Sequence, residues 1–247
     1  MKQVAVLLCS LGLILTSPVS LAEKPVDTNN IESKKFWGLQ LEEIEYRYDD
    51  DSGDKLGVWD GDIFYGTDEH RFHWLTKGEY EIEASIFSML ENQFVLQAPI
   101  SDFFDAKAGL RFATAEGLPN RRYAVVGIAG LAPQWFEVDL NFYLSEKGDA
   151  SAGMSAEYEL LLTNRLILTS SFAADLAFSN DLDIGVGSGL SSSELGLRLS
   201  YDVIDRSISP YIGIAQENLY GKTADLAKDD GESTDEFLLV LGARIVF

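Results

Sequence analysis

The sequence has 247 residues, 46% apolar and 11% aromatic, enough for one large core or one wide barrel. Its 19 basic and 40 acidic residues give a net charge of −21, which repels phosphate backbones and excludes nucleic acid as a partner. One cysteine, Cys9, and two histidines, His70 and His73, exclude a disulfide framework and a cysteine-based zinc site.

Residues 1–22 read as a signal peptide. Lys2 gives the positive start, Val4 to Leu15 the apolar run, and Ser20 and Ala22 the small residues before a cleavage site. The run is short for a transmembrane helix and contains Cys9. Residues 23–35 form a short polar segment.

From residue 36 to 247 the hydropathy period is two, and one domain is expected. Ile44, Tyr46 and Tyr48 oppose Glu43, Glu45 and Arg47, with a phase shift between Leu41 and Ile44 that reads as a bulge. Trp59, Ile63 and Tyr65 oppose Asp60 and Asp62. Phe72 and Trp74 set one face of the next stretch, which puts His73 on the other. Ala106, Ala108, Leu110 and Phe112 oppose Asp105, Lys107 and Arg111, and Tyr123–Leu131 is apolar on both faces. Phe136, Val138, Leu140, Phe142 and Leu144 oppose Glu137, Asp139 and Asn141. Met154, Ala156, Tyr158 and Leu160 oppose Ser155, Glu157 and Glu159. Leu195, Leu197 and Leu199 oppose Glu194 and Arg198, and Phe237 to Phe247 closes the series with Arg244 on its polar face.

These stretches are roughly twice as long as strands in soluble sheets. Short connections, near Gly66–Glu69, Leu96–Asp102, Ala132–Gln134, Thr163–Arg165 and Ile204–Ser207, alternate with others expected to be long. The longer set falls near Asp49–Asp54, Lys77–Gly78, Thr114–Asn120, Glu146–Ala150, Asn180–Gly189 and Tyr220–Asp235. The pattern predicts a transmembrane antiparallel β-barrel, an up-and-down meander of twelve strands with ten as the alternative count. Its apolar face would meet outer-membrane lipid and lipopolysaccharide, its polar face a lumen, and both termini would lie in the periplasm.

Six blocks, in order, resemble the copper resistance protein B family of Gram-negative outer membranes. They are Gly130–Val138 (GLAPQWFEV), Ala156–Leu168 (AEYELLLTNRLIL), Gly187–Tyr201 (GSGLSSSELGLRLSY), Ser209–Gly213 (SPYIG), Gly221–Asp225 (GKTAD) and Arg244–Phe247 (RIVF). The resemblance implies an outer-membrane barrel that binds copper ions and supports copper tolerance, with a periplasmic multicopper oxidase as a possible partner. Family members often carry a Met- and His-rich stretch before the barrel; here that stretch, EKPVDTNNIESKKFW, has neither residue.

Copper(II) favours imidazole and oxygen ligands, copper(I) sulfur. After the expected leader only Met89 and Met154 supply thioethers. His70 and His73, three apart on a strand, point to opposite sides. The metal-ligand candidates are therefore His73 with Glu83, Glu137, Asp139, Glu157, Glu159 and Glu194, read with Glu81 as lumen-facing. Glu157 and Glu159 share a face, about 7 Å apart. Two readings of these carboxylates stay open: an oxygen-rich site or path for copper, or a salt-bridge plug with Arg111, Arg198 and Arg244 in a barrel without copper specificity. The loops Asp49–Asp54 and Lys228–Glu236 lack EF-hand spacing, and Gly185–Ser193 matches no phosphate-binding loop. No enzyme is expected: there is no G-x-S-x-G elbow, and only two histidines could act as base.

Overall fold

The computed structural model describes residues 34–50, 52–204 and 206–247. The expected signal peptide and most of the polar segment lie outside the described residues. Twelve strands follow in chain order: β1 (Phe36–Asp49), β2 (Lys55–Gly66), β3 (Arg71–Glu81), β4 (Ile86–Pro99), β5 (Phe104–Ala115), β6 (Arg121–Ala132), β7 (Phe136–Ser145), β8 (Ala150–Leu161), β9 (Leu166–Ala177), β10 (Gly189–Tyr201), β11 (Ile208–Leu219) and β12 (Asp235–Val246). One helix, α1 (Gly221–Asp230), lies in the connection before β12.

Each strand pairs antiparallel with its sequence neighbour, and β1 pairs with β12 to close the ring. Closure leaves no row of unpaired backbone groups at an edge. At the seam Leu39 and Phe247 exchange backbone hydrogen bonds of 2.9 and 2.8 Å.

The packing is inverted relative to a soluble protein. Leu110, Leu195, Ile212 and Leu241 are more than half exposed, whereas Arg47, His73, Arg111 and Asp139 are almost fully buried. Apolar side chains can face outward at this density only toward lipid, so the wall reads as membrane-spanning and the polar face as lumen.

The bulge in β1 lies where the phase shift placed it, with register breaks beginning at Leu41 against both neighbouring strands. Its effect is to turn consecutive residues inward. Glu42 reaches Arg244 and Glu43 reaches Arg47 and Arg198, all lumen-facing groups. The apolar character of β6 has a different cause: Tyr123 and Val125 form an apolar patch inside the lumen with Tyr143.

Two expectations need correction. Lys77–Gly78 is not a loop but lies within β3, and the turn falls at 82–85. Gly78 is where the Trp59 ring crosses the strand: a Cβ there would come within 2.0 Å of that ring, so close approach and not a turn accounts for the glycine. Glu83 consequently sits in the turn and does not face the lumen wall; it is exposed and pairs with Lys55 at 2.9 Å. The connections at the end away from the termini are also less uniform than expected. Only 178–188 and 220–234 are long, and the others are as short as those at the terminal end.

Candidate functional site

The lumen is filled rather than open, and its charges fall into distinct groups. At the waist, Arg47 of β1 pairs with Glu45 at 2.6 Å, Glu217 at 2.9 Å and Glu43 at 3.2 Å. Arg198 of β10 reaches Glu45 at 2.6 Å and Glu43 at 2.8 Å, crossing over β11 and β12. Glu194 lies 3.7 Å from both guanidiniums, and the Tyr211 hydroxyl donates to Glu45 at 2.9 Å. Every carboxylate of this group has a cationic partner.

On the opposite wall Arg111, with no exposed surface, pairs with Glu91 at 2.6 Å. Its guanidinium lies over the Tyr143 and Tyr123 rings, 4.5 and 5.2 Å from their centroids. Cation–π contact of this kind stabilises a desolvated charge. Lys77 pairs with Asp60, and Lys107 with Asp139, to which Asn141 also donates.

Nearer the terminal end the balance changes. Arg244 pairs with Glu159 at 2.6 Å and with Glu42 at 2.7 Å. Glu137 and Glu157 are direct cross-strand partners on β7 and β8, two like charges facing each other on one side of the sheet. Such a pair is destabilising when both groups are ionised. One oxygen of Glu137 and one of Glu42 are buried without a hydrogen-bond partner among the described residues.

His73 lies in the lumen as expected, about 2% exposed, with Nδ1 2.8 Å from Asp62 Oδ2. Its Nε2 is buried without a hydrogen-bond partner among the described residues, and the Phe64 ring lies 5.5 Å away between centroids. A carboxylate on one imidazole nitrogen orients the other as a ligand or proton carrier. His70 is exposed in the turn after β2 and takes no part.

Beyond the waist, away from the termini, two adjoining cavities of about 260 and 210 Å³ share Asp49, Asp54, Glu217 and Glu236 as lining. Glu79, Glu81 and Glu83 line the smaller one, where Lys55 is the sole basic residue. The surrounding loops are tied by Arg121, which grips Asp181 at 2.7 and 2.8 Å and reaches Asp183, itself bonded by Lys147. The Lys147 hydrogen bond holds the Asp183 carboxyl below its usual range.

The candidates from the sequence are therefore not one site. Glu137, Glu157 and Glu159 come together; Glu194 belongs to the waist, Asp139 to Lys107, His73 to Asp62, and Glu83 to the mouth. Among the described residues no set of three or more His, Cys, Asp or Glu side chains is arranged to hold a metal ion. Sequence reading missed Glu42, whose orientation depends on the bulge, and the Asp62 partner of His73. It names Met89 but does not give its orientation. A register slip at Ser88 pairs Met89 with Glu79 and Ala115, on the lumen phase, while Met154 faces outward.

Comparison with known proteins supplies the context. A family model described as copper resistance protein B precursor (CopB) matches residues 35–247. Copper resistance protein B of Escherichia coli is 36% identical over 238 residues, covering 93% of this chain and 78% of that protein. A copper resistance protein B homolog of Pseudomonas syringae pv. tomato is 35% identical over 190 residues, covering 77% of this chain and 63% of its own length. Among solved structures, a NanC porin superposes with a TM-score of 0.55 at 11% identity, over 84% of this chain and 98% of the porin. A KdgM porin gives 0.50 at 9% identity, over 85% and 99%. At such identities the porins share the fold alone, an outer-membrane barrel, whereas the two copper resistance proteins and the family model share the sequence itself. The chain belongs to the copper resistance protein B family.

Proposed function

We propose that this barrel supports copper tolerance by taking copper ions as cargo into its acidic lumen, for sequestration or export across the outer membrane. The observation that carries the reading is the Glu137–Glu157 pair: two carboxylates opposed across β7 and β8, beside Glu159 and Glu42, with Arg244 the guanidinium they share. A cation entering there would relieve the repulsion. His73, steadied by Asp62, would add an imidazole nitrogen elsewhere in the lumen, and Met89 a thioether beside Glu79. Asp139 and Glu194 would become ligands only by leaving their basic partners. The acidic mouth, with Glu83 on its rim, would raise the local cation concentration.

In this reading the loop-rich end faces outward and the terminal end faces the periplasm, where a multicopper oxidase would be the partner; lipopolysaccharide would surround the outer rim. The chemistry is binding and passage, without catalysis. The test pairs growth with binding. A deletion strain is grown across a copper series with zinc and cadmium controls, and the purified barrel is titrated with copper(II) followed by electron paramagnetic resonance. Sensitivity confined to copper, with a copper(II) signal that Glu137→Gln and Glu157→Gln weaken, is the expected result. Equal sensitivity to all three metals, or a signal indifferent to both substitutions, would replace this reading with an acidic channel lacking copper specificity.

A further inference from the structure

The outer wall of β2–β4 carries a feature that a lipid-facing surface should avoid. Asn92 lies midway along β4, on the outward phase between Leu90 and Phe94. Its cross-strand partner on β3 is Thr76, whose own partner on β2 is Gly61. The row thus places a carboxamide, a hydroxyl and a glycine side by side at the centre of the apolar belt. Trp74 Nε1 donates to Asn92 Oδ1 at 3.0 Å, and no described group accepts from the Asn92 amide nitrogen. Two N–H donors left in hydrocarbon are costly, because lipid offers no acceptor.

The surroundings have the relief of a contact surface. Phe72 and Trp74 stack on Phe94 at 6.4 and 6.0 Å, and Phe112 meets it edge-on at 6.1 Å. These rings form a ridge beside the lower ground of Thr76 and Asn92, bounded on the β2 side by the Leu41 side chain, which covers Gly61. The row itself carries no charge. A carboxamide is both donor and acceptor, so it is complementary to a second copy of itself across a two-fold axis. Each amide nitrogen would donate to the free lone pair of the other Oδ1.

We propose that this wall is the interface of a homodimer in the membrane, with Asn92 and Thr76 near the two-fold axis. The inference does not depend on copper. The test uses the full barrel in lipid. The sequence has one cysteine, Cys9, within the expected leader, so introduced cysteines report without competition. Asn92→Cys or Thr76→Cys, treated in outer membranes with a short apolar bis-methanethiosulfonate, should crosslink to a dimer several-fold more than Leu195→Cys on the far wall. In nanodiscs, native mass spectrometry should find two copies of the wild-type chain and one of Asn92→Leu, with heat-modifiable migration in gels showing that the variant barrel is folded. Crosslinking no greater at residues 92 and 76 than at 195, or a dimer that persists in folded Asn92→Leu, would overturn the proposal.

Discussion

Two groups of carboxylates share one lumen and are treated differently. At the waist, Glu43, Glu45, Glu194 and Glu217 are distributed over Arg47 and Arg198, and each lies within ion-pair distance of a guanidinium. Toward the terminal end, Glu42 and Glu159 take Arg244, while Glu137 and Glu157 face each other. The first arrangement closes the barrel. The second has one guanidinium for four carboxylates, against two for four at the waist, and so leaves the larger unbalanced negative charge, where a cation could serve. Position in the lumen, and not acidic composition, separates a plug from a candidate site.

The largest effect should come from the waist. Removing one partner of a buried ion pair leaves uncompensated charge and costs about 3–5 kcal/mol. Arg47→Met should lower unfolding stability in urea by that order, and raise single-channel conductance in planar bilayers as the closure loosens. If conductance stayed at the wild-type level, the closure would not lie at Arg47. Arg244→Met should cost less, about 1–3 kcal/mol, because its carboxylates retain more solvent; an equal or greater loss would erase the distinction between the two groups.

A pair of matched substitutions sharpens it further. Glu137→Gln removes a like-charge opposition and should stabilise by about 0.2–1 kcal/mol, the scale of a cross-strand pair. Glu45→Gln, which weakens bonds to both waist guanidiniums and to Tyr211, should destabilise. Opposite signs are expected, and the same sign for both would show that the terminal-end carboxylates are as well compensated as those of the waist. The smallest effect belongs to the exposed loop clamp. Asp183, whose carboxyl Lys147 holds below its usual value of 3.8, contributes above that pH and loses its contribution as pH falls further. Asp183→Asn should lower the unfolding midpoint at neutral pH only slightly, as expected for an exposed ion pair, and any acid-dependent loosening of the loops should fade with added salt.

The barrel was legible because its face alternation is written into the sequence. Leu140, Phe142 and Leu144 against Asp139 and Asn141 leave one phase only, and the β1 bulge announced itself where Leu41 and Ile44 fell out of step. What alternation cannot give is the partner across the lumen. Arg198 and Glu45 are far apart in sequence and meet only because the ring closes. His73 was placed correctly, but Asp62 as its partner required the β2–β3 register. Glu83 falls outside the lumen because Gly78, which looks like part of a turn in the sequence, is the seat of the Trp59 ring, and the turn comes later.

The seam between β1 and β12 joins residues near the two ends of the described chain, Ile44 with Ala243 and Tyr48 with Leu239. Every other pairing in the ring is between sequence neighbours. Assembly is therefore eleven cheap loop closures, each between adjoining hairpin partners, plus one long-range step that must await the rest. Until that step is complete, two strands present open edges to any other chain nearby, and the time spent in that state sets the exposure of the nascent barrel to aggregation.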